Sequence, residues 1–363
     1  MPTNKIRVIH IAECIGGVDR FLRCLLKYSD NDRFENILLL SQLYEKEAYE
    51  KLADHVEIMH IPHTTGLSAF STAIELRKKI IEYNPDVVCA HSSIAGAMTR
   101  MACLGLKCKV VYNPHGWSFN MESEKKNTFI MLEKLMAHFC DAIICISEAE
   151  KVSALRESIC DEKKLRVINN GIDLNREIGP CPIKLEDDVF VVGMVGRICR
   201  QKAPEVFVKM AGEVKKKVDK SLFIIVGDVL EAEQEKRIEI ENLAKEQGIE
   251  LIITGWVDNP LDYVSRFDVG CLLSRWEGFG LAIPEYMLCG VPIVATKVDA
   301  IPYLVRDGET GYLVEKNDWK SAADKVLEAR ENTEMIYKEK KELERFDARR
   351  VSKEYEELFE VLI

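Results

Sequence analysis

The sequence predicts an α/β protein built from two doubly wound parallel-sheet domains in tandem. Three observations carry this. Short apolar runs of strand length alternate with amphipathic helical stretches along almost the whole chain, as in βαβ units around a sheet buried on both faces. The alternation breaks once, over 173–188, where Gly179-Pro180-Cys181-Pro182 lies among polar residues and reads as a linker or hinge. The chain also has 363 residues, more than one hydrophobic core usually serves.

In residues 1–173, strands are expected at Ile6–Ile11, Asn36–Leu40, Val56–Ile61, Asp86–His91, Lys109–Asn113, Asp141–Ile146 and Arg166–Ile168. Each is rich in Val, Ile or Leu and bounded by turn formers. Helical periodicity places helices between them, near 18–29, 44–53, 67–83, 93–104, 121–139 and 148–158. In residues 174–346 the pattern restarts. Strands are expected at Phe190–Val195, Leu222–Val226, Leu251–Thr254, Val269–Leu273 and Pro292–Ala295. Helices are expected near 203–218, 231–246, 260–266, 280–289, 318–331 and 333–344, and a last helix spans about 347–362.

Composition excludes several classes. Residues 1–173 hold 22 Lys+Arg and 23 Asp+Glu, whereas residues 174–363 hold 28 and 37. A second half of net −9 argues against a nucleic-acid partner, which needs a basic surface. The first half, at −1, is the half that tolerates an anionic membrane. No apolar run reaches membrane-span length, and Val8–Ala12 is too short for a signal peptide, so a cytoplasmic chain is expected. The twelve cysteines are scattered without a C-x-x-C pair. Those in apolar runs, such as Cys89, Cys145 and Cys271, read as reduced core residues.

The chemistry concentrates at the carboxyl ends of predicted strands, where open α/β sheets bind ligands. After the first strand, Gly16-Gly17 precedes the helix opening Val18-Asp19-Arg20. Glycines there admit a close ligand, although a tight β–α turn needs them equally. His115 follows a strand in Asn113-Pro114-His115-Gly116-Trp117, placed to meet a substrate or to serve a turn. His10 and His91 also end strands and are weaker candidates. His55, His60, His63 and His138 read as structural or surface residues. In the second half, Gly196-Arg197 and Lys202 follow one strand. Two fixed cations can neutralise a departing diphosphate without a metal; the alternative is a solvated basic loop. Glu277-Gly278-Phe279-Gly280-Leu281 and Glu285 follow another. Carboxylates and exposed backbone N–H groups suit sugar hydroxyls, and acidic capping of a helix start is the alternative. Asp30-Asn31-Asp32 matches a metal-binding D-x-D only superficially, being in a polar turn. No essential metal is expected.

Together these residues resemble the retaining family-4 glycosyltransferases of GT-B fold, over nearly the whole chain. The resemblance rests on Gly16-Gly17-Val18-Asp19-Arg20, His115-Gly116, Ile146-Ser147-Glu148, Asn169-Asn170-Gly171-Ile172-Asp173, Gly196-Arg197 with Lys202, and Glu277 to Glu285. It continues through Cys289–Thr296 and Asp307–Val314. It implies two Rossmann-like domains facing a central cleft: 1–173 for the acceptor, with helix 347–363 packed back onto it, and 174–346 for the nucleotide-sugar donor. Arg197 and Lys202 would hold the donor diphosphate. Glu277 and the backbone of Gly278, Phe279 and Gly280 would hold the sugar, and Glu285 the ribose. Gly255 and Val257 would flank the base. His115 would reach the transferring sugar, and Gly17 would lie under the diphosphate or acceptor. Asp19 stands where the family more often has Glu. Asp299, Ala300 and Tyr303 depart from its usual Gly-Gly and Glu, which puts donor-sugar identity in question.

The implied reaction moves a hexosyl or N-acetylhexosaminyl unit from a nucleotide diphosphate sugar, a UDP-sugar by family frequency, to an acceptor hydroxyl with retention. The acceptor would be a lipid-linked or surface-polysaccharide precursor. The predicted helix 121–139 carries Lys125, Lys126, Phe129-Ile130-Met131-Leu132 and Leu135-Met136, a pattern for peripheral membrane contact or for packing on its own sheet. A GT-B sugar-nucleotide epimerase and a non-catalytic nucleotide-sugar-binding protein are the alternative readings.

Overall fold

The computed structural model describes residues 5–14, 16–62, 67–184, 186, 188–230 and 233–363, so His63 lies outside the described residues. The chain divides into two compact units. One comprises the residues up to Asp173 with Phe346–Ile363, and the other Leu174–Arg345.

The first unit runs β1 (Ile6–Ala12), α1 (Gly17–Lys27), β2 (Phe34–Ser41), β3 (His55–Met59), α2 (Leu67–Tyr83) and β4 (Val87–His91). It continues α3 (Ser93–Ala102), β5 (Lys109–Asn113), α4 (Lys126–Met136), β6 (Ala142–Cys145), α5 (Glu148–Arg156) and β7 (Leu165–Val167). Its seven strands form a sheet in the order β3-β2-β1-β4-β5-β6-β7, with every neighbouring pair parallel. Strand β4 is buried along its whole length, as expected where helices cover both faces. Strand order reverses at β1, so the carboxyl ends of β1 and β4 flank a topological switch point.

The second unit runs β8 (Phe190–Val195), α6 (Pro204–Lys215), β9 (Ser221–Val226), α7 (Gln234–Glu246), β10 (Leu251–Ile253) and α8 (Leu261–Val264). It continues β11 (Val269–Leu272), α9 (Ala282–Cys289), β12 (Ile293–Thr296), α10 (Ile301–Leu304), β13 (Tyr312–Val314), α11 (Trp319–Glu331) and α12 (Thr333–Glu342). Its parallel sheet has the order β10-β9-β8-β11-β12-β13. The switch point here lies between the carboxyl ends of β8 and β11. Tyr286 of α9 ties these two strands together: its hydroxyl accepts from Val195 N (2.9 Å) and donates to Cys271 O (3.0 Å).

A last helix, α13 (Ala348–Leu362), returns to the first unit. Val351, Tyr355, Leu358 and Phe359 are buried in one cluster with Phe21, Leu22, Leu25 and Leu26 of α1. Phe346 is fully buried, and its carbonyl accepts from Ile172 N at 2.8 Å.

Three elements differ from expectation. The stretch 44–53 is not a helix and holds only a 3₁₀ turn at Lys46–Ala48. Tyr44 and Tyr49 are both buried in the cluster around α1, yet residues five apart sit about 140° apart on an α-helix. One helix could not bury both, so packing overrides the good helix formers between them. The short strand β13 and helix α10 are not among the expected elements, since three or four residues carry too little periodicity. The expected linker is anchored to the second unit: Arg176 Nη2 donates to Asp258 O and Gly179 N to Asp262 Oδ1, each at 2.7 Å. Cys89, Cys145 and Cys271 are fully buried free thiols.

Candidate functional site

In the second unit, the loops after β8 and β11 meet at the switch point. Lys202 Nζ donates to Glu277 Oε1 at 2.5 Å, and Ser274 Oγ donates to the same oxygen at 2.6 Å. The Glu277 side chain is 5% exposed and that of Lys202 17%. A side chain so enclosed needs such pairing and hydrogen bonding to offset the cost of its burial. Its role is not helix capping, since α9 starts five residues later. The Glu277 backbone N–H donates to Asp299 Oδ2 at 2.9 Å. Asp299 belongs to the loop singled out for its unusual sequence, so that departure reaches the site through Glu277. Thr296 Oγ1 donates to Ser274 O at 2.7 Å and fixes the same turn.

Two glycines make this packing possible. At Gly196 (φ +153°) a Cβ would come within 3.2 Å of Lys202 Cδ and Cε, so the bare backbone lets the lysine stem lie flat across it. At Gly227 (φ +142°), after β9, a Cβ would sit 2.2 Å from Gly196 O. The β8 and β9 loops thus touch backbone to backbone. Arg197 projects beside them, exposed and without an ion-pair partner among the described residues. Glu285 is 2% exposed in the first turn of α9. Gly280 has φ +94°, and Phe279 is buried. Gly255 bridges to Gly227, with Trp256 60% exposed and Val257 partly buried beside it. Arg197, Lys202, Glu277, Glu285, Gly255 and Val257 therefore share one sheet edge, where Lys202 is paired with the enclosed Glu277 and Arg197 is exposed.

In the first unit, Gly17 opens α1 at its own switch point, and His115 follows β5. His115 adopts φ +51°, an uncommon conformation for histidine. Its N–H donates to Asn113 Oδ1 (2.9 Å), and Asn113 Nδ2 donates in turn to Tyr355 Oη of α13 (2.6 Å). The His115 ring contacts Phe21 edge-on and hydrogen-bonds His91, Nε2 to Nδ1, at 2.9 Å. His91 Nε2 meets His10 Nδ1 at 3.1 Å. Burial pushes His115 down to about 3, His10 down to about 4, and His91 well below its ordinary value. All three are neutral at pH 7.

Two features here went unread in the sequence. Glu13, 3% exposed at the end of β1, accepts from Ser92 Oγ and from Ala95 N (3.2 Å) at the start of α3. Burial raises its carboxyl above the ordinary range against these donors. A Glu directly after a strand was the available signal. The second is the histidine row: His10, Cys89 and His91 place possible metal-ligand atoms within 4.8 Å of one another. Both His91 ring nitrogens are already spent on His10 and His115. Burial also holds the Cys89 thiol protonated, so this trio is a packed hydrogen-bonded group and a poor cation site.

The histidines imply an acid sensitivity. Unfolding returns each to an ordinary pKa near 6.5, so the unfolded chain binds more protons as pH falls below that. Their contribution is full above pH 6.5 and is lost as pH falls toward 3–4. For His10 alone the loss reaches about 3 kcal/mol. Glu13 has the opposite sign, its burial cost being relieved in acid, but it is one group against three. The thermal midpoint is expected to fall between pH 7 and pH 4, and to fall less in a His10→Gln variant. Equal slopes in the two proteins would discount the histidines.

Comparison with known proteins bears on the family and the fold. The family Glycosyltransferase Family 4 matches residues 15–176, and Glycosyl transferases group 1 matches residues 180–346. An uncharacterized 41.2 kDa protein in the cps region of Klebsiella pneumoniae is 31% identical over 356 residues, 93% of each chain. The UDP-Gal:α-D-GlcNAc-diphosphoundecaprenol α-1,3-galactosyltransferase of Escherichia coli is 27% identical over 87% of this chain and 85% of its own. In three dimensions the chain is similar to Anabaena Alr3699/HepE, solved in complex with UDP and glucose. The TM-score is 0.82 at 20% identity, with 98% of this chain and 99% of that one covered. That likeness gives the fold: two parallel-sheet α/β domains of GT-B type.

Proposed function

This chain belongs to the group 1, family 4-type glycosyltransferases, enzymes that transfer hexosyl units from nucleotide sugars, and from that premise we propose a retaining transfer from a UDP-sugar to a lipid-linked polysaccharide precursor. The observation that carries the donor half is the cluster of Lys202, Glu277 and Ser274 beside exposed Arg197 at the second switch point. Arg197 and Lys202 stabilise the departing diphosphate. Because two fixed cations serve it, the reaction proceeds without an essential metal. Glu277, with the backbone of Gly278, Phe279, Gly280 and Leu281, holds the sugar hydroxyls. Glu285 holds the ribose, and Gly196, Gly255 and Val257 flank the nucleotide.

From the first unit, Gly17 and His115 serve the transferring sugar and the acceptor. Glu277 is committed to Lys202 and Ser274, which favours front-face attack over a covalent carboxylate intermediate. The leaving phosphate then takes the acceptor's proton, and the new bond forms on the face that the old one leaves. Asp299 bears on donor choice by fixing the backbone of Glu277.

The donor half is tested by thermal shift with UDP, GDP, ADP and CDP, each in EDTA. At a hundredfold excess over Kd, UDP is expected to stabilise by about 2.7 kcal/mol. A shift that requires a divalent ion, or that GDP gives instead, would overturn that part of the reading.

For the acceptor, the E. coli relative's named substrate is an undecaprenol diphosphate sugar. Helix α4 of this chain offers a matching surface. Phe129 and Ile130 pack against the core, while Met131 (63%), Leu132 (44%) and Leu135 (57%) are exposed near Lys125, Lys126 and Lys134. Among the described residues no helix is long and apolar enough to cross a membrane, so contact would be peripheral. Co-flotation with anionic vesicles is expected, weakened at least several-fold in a Met131→Ser/Leu135→Ser variant. Equal flotation of both proteins would remove α4 from the contact.

A further inference from the structure

Lys202 reaches its place through a turn that its own sequence disfavours. Ala203 adopts φ +49° and ψ +52°, a left-handed backbone that alanine rarely holds. Pro204 follows it, and proline presses the residue before it toward extended backbone. Ala203 is thus disfavoured twice over, yet it is fully buried in the core of the second unit. Strained backbone of this kind persists only where the surroundings hold it. Part of the hold is local: Lys202 N and Ala203 N both donate to Cys199 O, at 3.1 and 3.2 Å.

The rest comes from the loop after β11, far along the chain. Arg275 N donates to Gln201 O (2.8 Å), and Gln201 Nε2 donates back to Trp276 O (3.0 Å). Arg275 Nη1 donates to Arg200 O (2.7 Å), and its Nη2 pairs with Glu205 in the first turn of α6. A planar guanidinium fork can hold two such acceptors at once, which a lysine ammonium on its flexible stem cannot do with the same geometry. These bonds grip the turn on both sides, at Arg200 and Gln201 before Lys202 and at Glu205 after Ala203. They also stop one residue short of each member of the buried pair: Gln201 precedes Lys202, and Trp276 precedes Glu277. The backbone that carries the cation and the backbone that carries the carboxylate are therefore stapled to each other.

We propose that Arg275 and Gln201 are positioning residues for the donor diphosphate: they staple the β8 loop to the β11 loop, hold the strained turn at Ala203, and so fix where the Lys202 ammonium stands. This rests on the reading of Lys202 as a diphosphate contact. A fixed cation acts most strongly on charge that develops beside it when nothing has to reorganise first. Arg275 itself, bonded to Arg200 and Glu205, acts through Lys202.

The experiment is a double-mutant cycle read by calorimetric UDP binding to the full-length protein. Arg275→Met is expected to weaken UDP by about tenfold alone, and by less than about twofold in a Lys202→Ala background. Arg275→Lys keeps the charge without the fork and is expected to weaken UDP as Arg275→Met does. Gln201→Leu leaves Arg275 in place and is expected to show the same dependence on Lys202 at smaller size; it carries the cycle if Arg275→Met fails to fold. Equal losses with and without Lys202, or full affinity in Arg275→Lys or in both other variants, would overturn the positioning role. Hydrogen exchange supplies a readout that needs no donor. In Arg275→Met, or in Gln201→Leu in its place, the amides of 199–203 and 274–278 are expected to exchange faster together. Acceleration confined to one of the two segments would overturn the staple. If the unaltered protein binds no UDP, the donor reading of Lys202 fails and the positioning role with it, while hydrogen exchange still decides the staple.

Discussion

Lys202→Ala is expected to lower kcat by on the order of 10²–10³-fold while raising the donor KM far less. A cation aimed at charge that develops on the leaving diphosphate acts mainly in the transition state, so its loss appears in kcat. The same substitution destabilises the second unit, because among the described residues Glu277 keeps only Ser274 as a side-chain donor to its enclosed carboxylate. Losing one partner of such a pair costs about 2–4 kcal/mol, less than in a fully dry interior because Lys202 retains some exposure. The two effects separate in a double mutant. Lys202→Met with Glu277→Gln removes both charges and is expected to recover most of the stability but none of the turnover. Recovery of turnover together with stability would show that Lys202 serves Glu277 alone. Undiminished turnover in Lys202→Ala would take it out of the site.

Gly227→Ala is expected to be the most damaging single methyl group in the second unit. Its Cβ would lie 2.2 Å from Gly196 O and 2.9 Å from Gly196 C, and the residue holds φ +142°. Neither obstacle is a side chain that can rotate away. Overpacking and backbone strain together suggest a loss of about 3–5 kcal/mol, read from denaturant unfolding. The clash bears on the residue just before Arg197, so any stabilisation by UDP should vanish as well. Gly248→Ala is the control: its φ is also positive (+65°), but a Cβ there meets nothing within 4 Å. It should cost about 1 kcal/mol and leave nucleotide binding intact. Similar losses in the two variants would mean that strain, not the Gly196 contact, dominates.

Much of this architecture was legible in the sequence because it follows from burial. A strand such as Phe190–Val195 sits between helices, so it is apolar throughout and its ends are sharp. Strand ends in turn locate the candidate residues, since Arg197, Glu277 and His115 each follow a strand at its carboxyl end.

What stayed hidden depends on contacts between residues far apart in the chain. Nothing near Tyr44 indicates that it and Tyr49 must share one core, so 44–53 looked helical. Nothing near Glu13 indicates that α3, some eighty residues later, supplies its donors. The contact of His91 with both His10 and His115 is further from view, because the three residues lie on or after different strands. Asp299 stood out as unusual, but only the fold shows that it holds the Glu277 backbone.

The return of α13 to the first unit sets an order on synthesis. Residues 174–345 must all leave the ribosome between Asp173 and the segment that completes the earlier unit. At roughly 5–20 residues per second, that delay is roughly 10–30 s. During it, the apolar surface of Phe21, Leu22 and Leu25 awaits Val351, Tyr355 and Phe359, while the second unit, continuous in sequence, can mature unaided. The half of the protein that emerges first is therefore the last to be finished, and for that interval it is the half most exposed to chaperones and proteases.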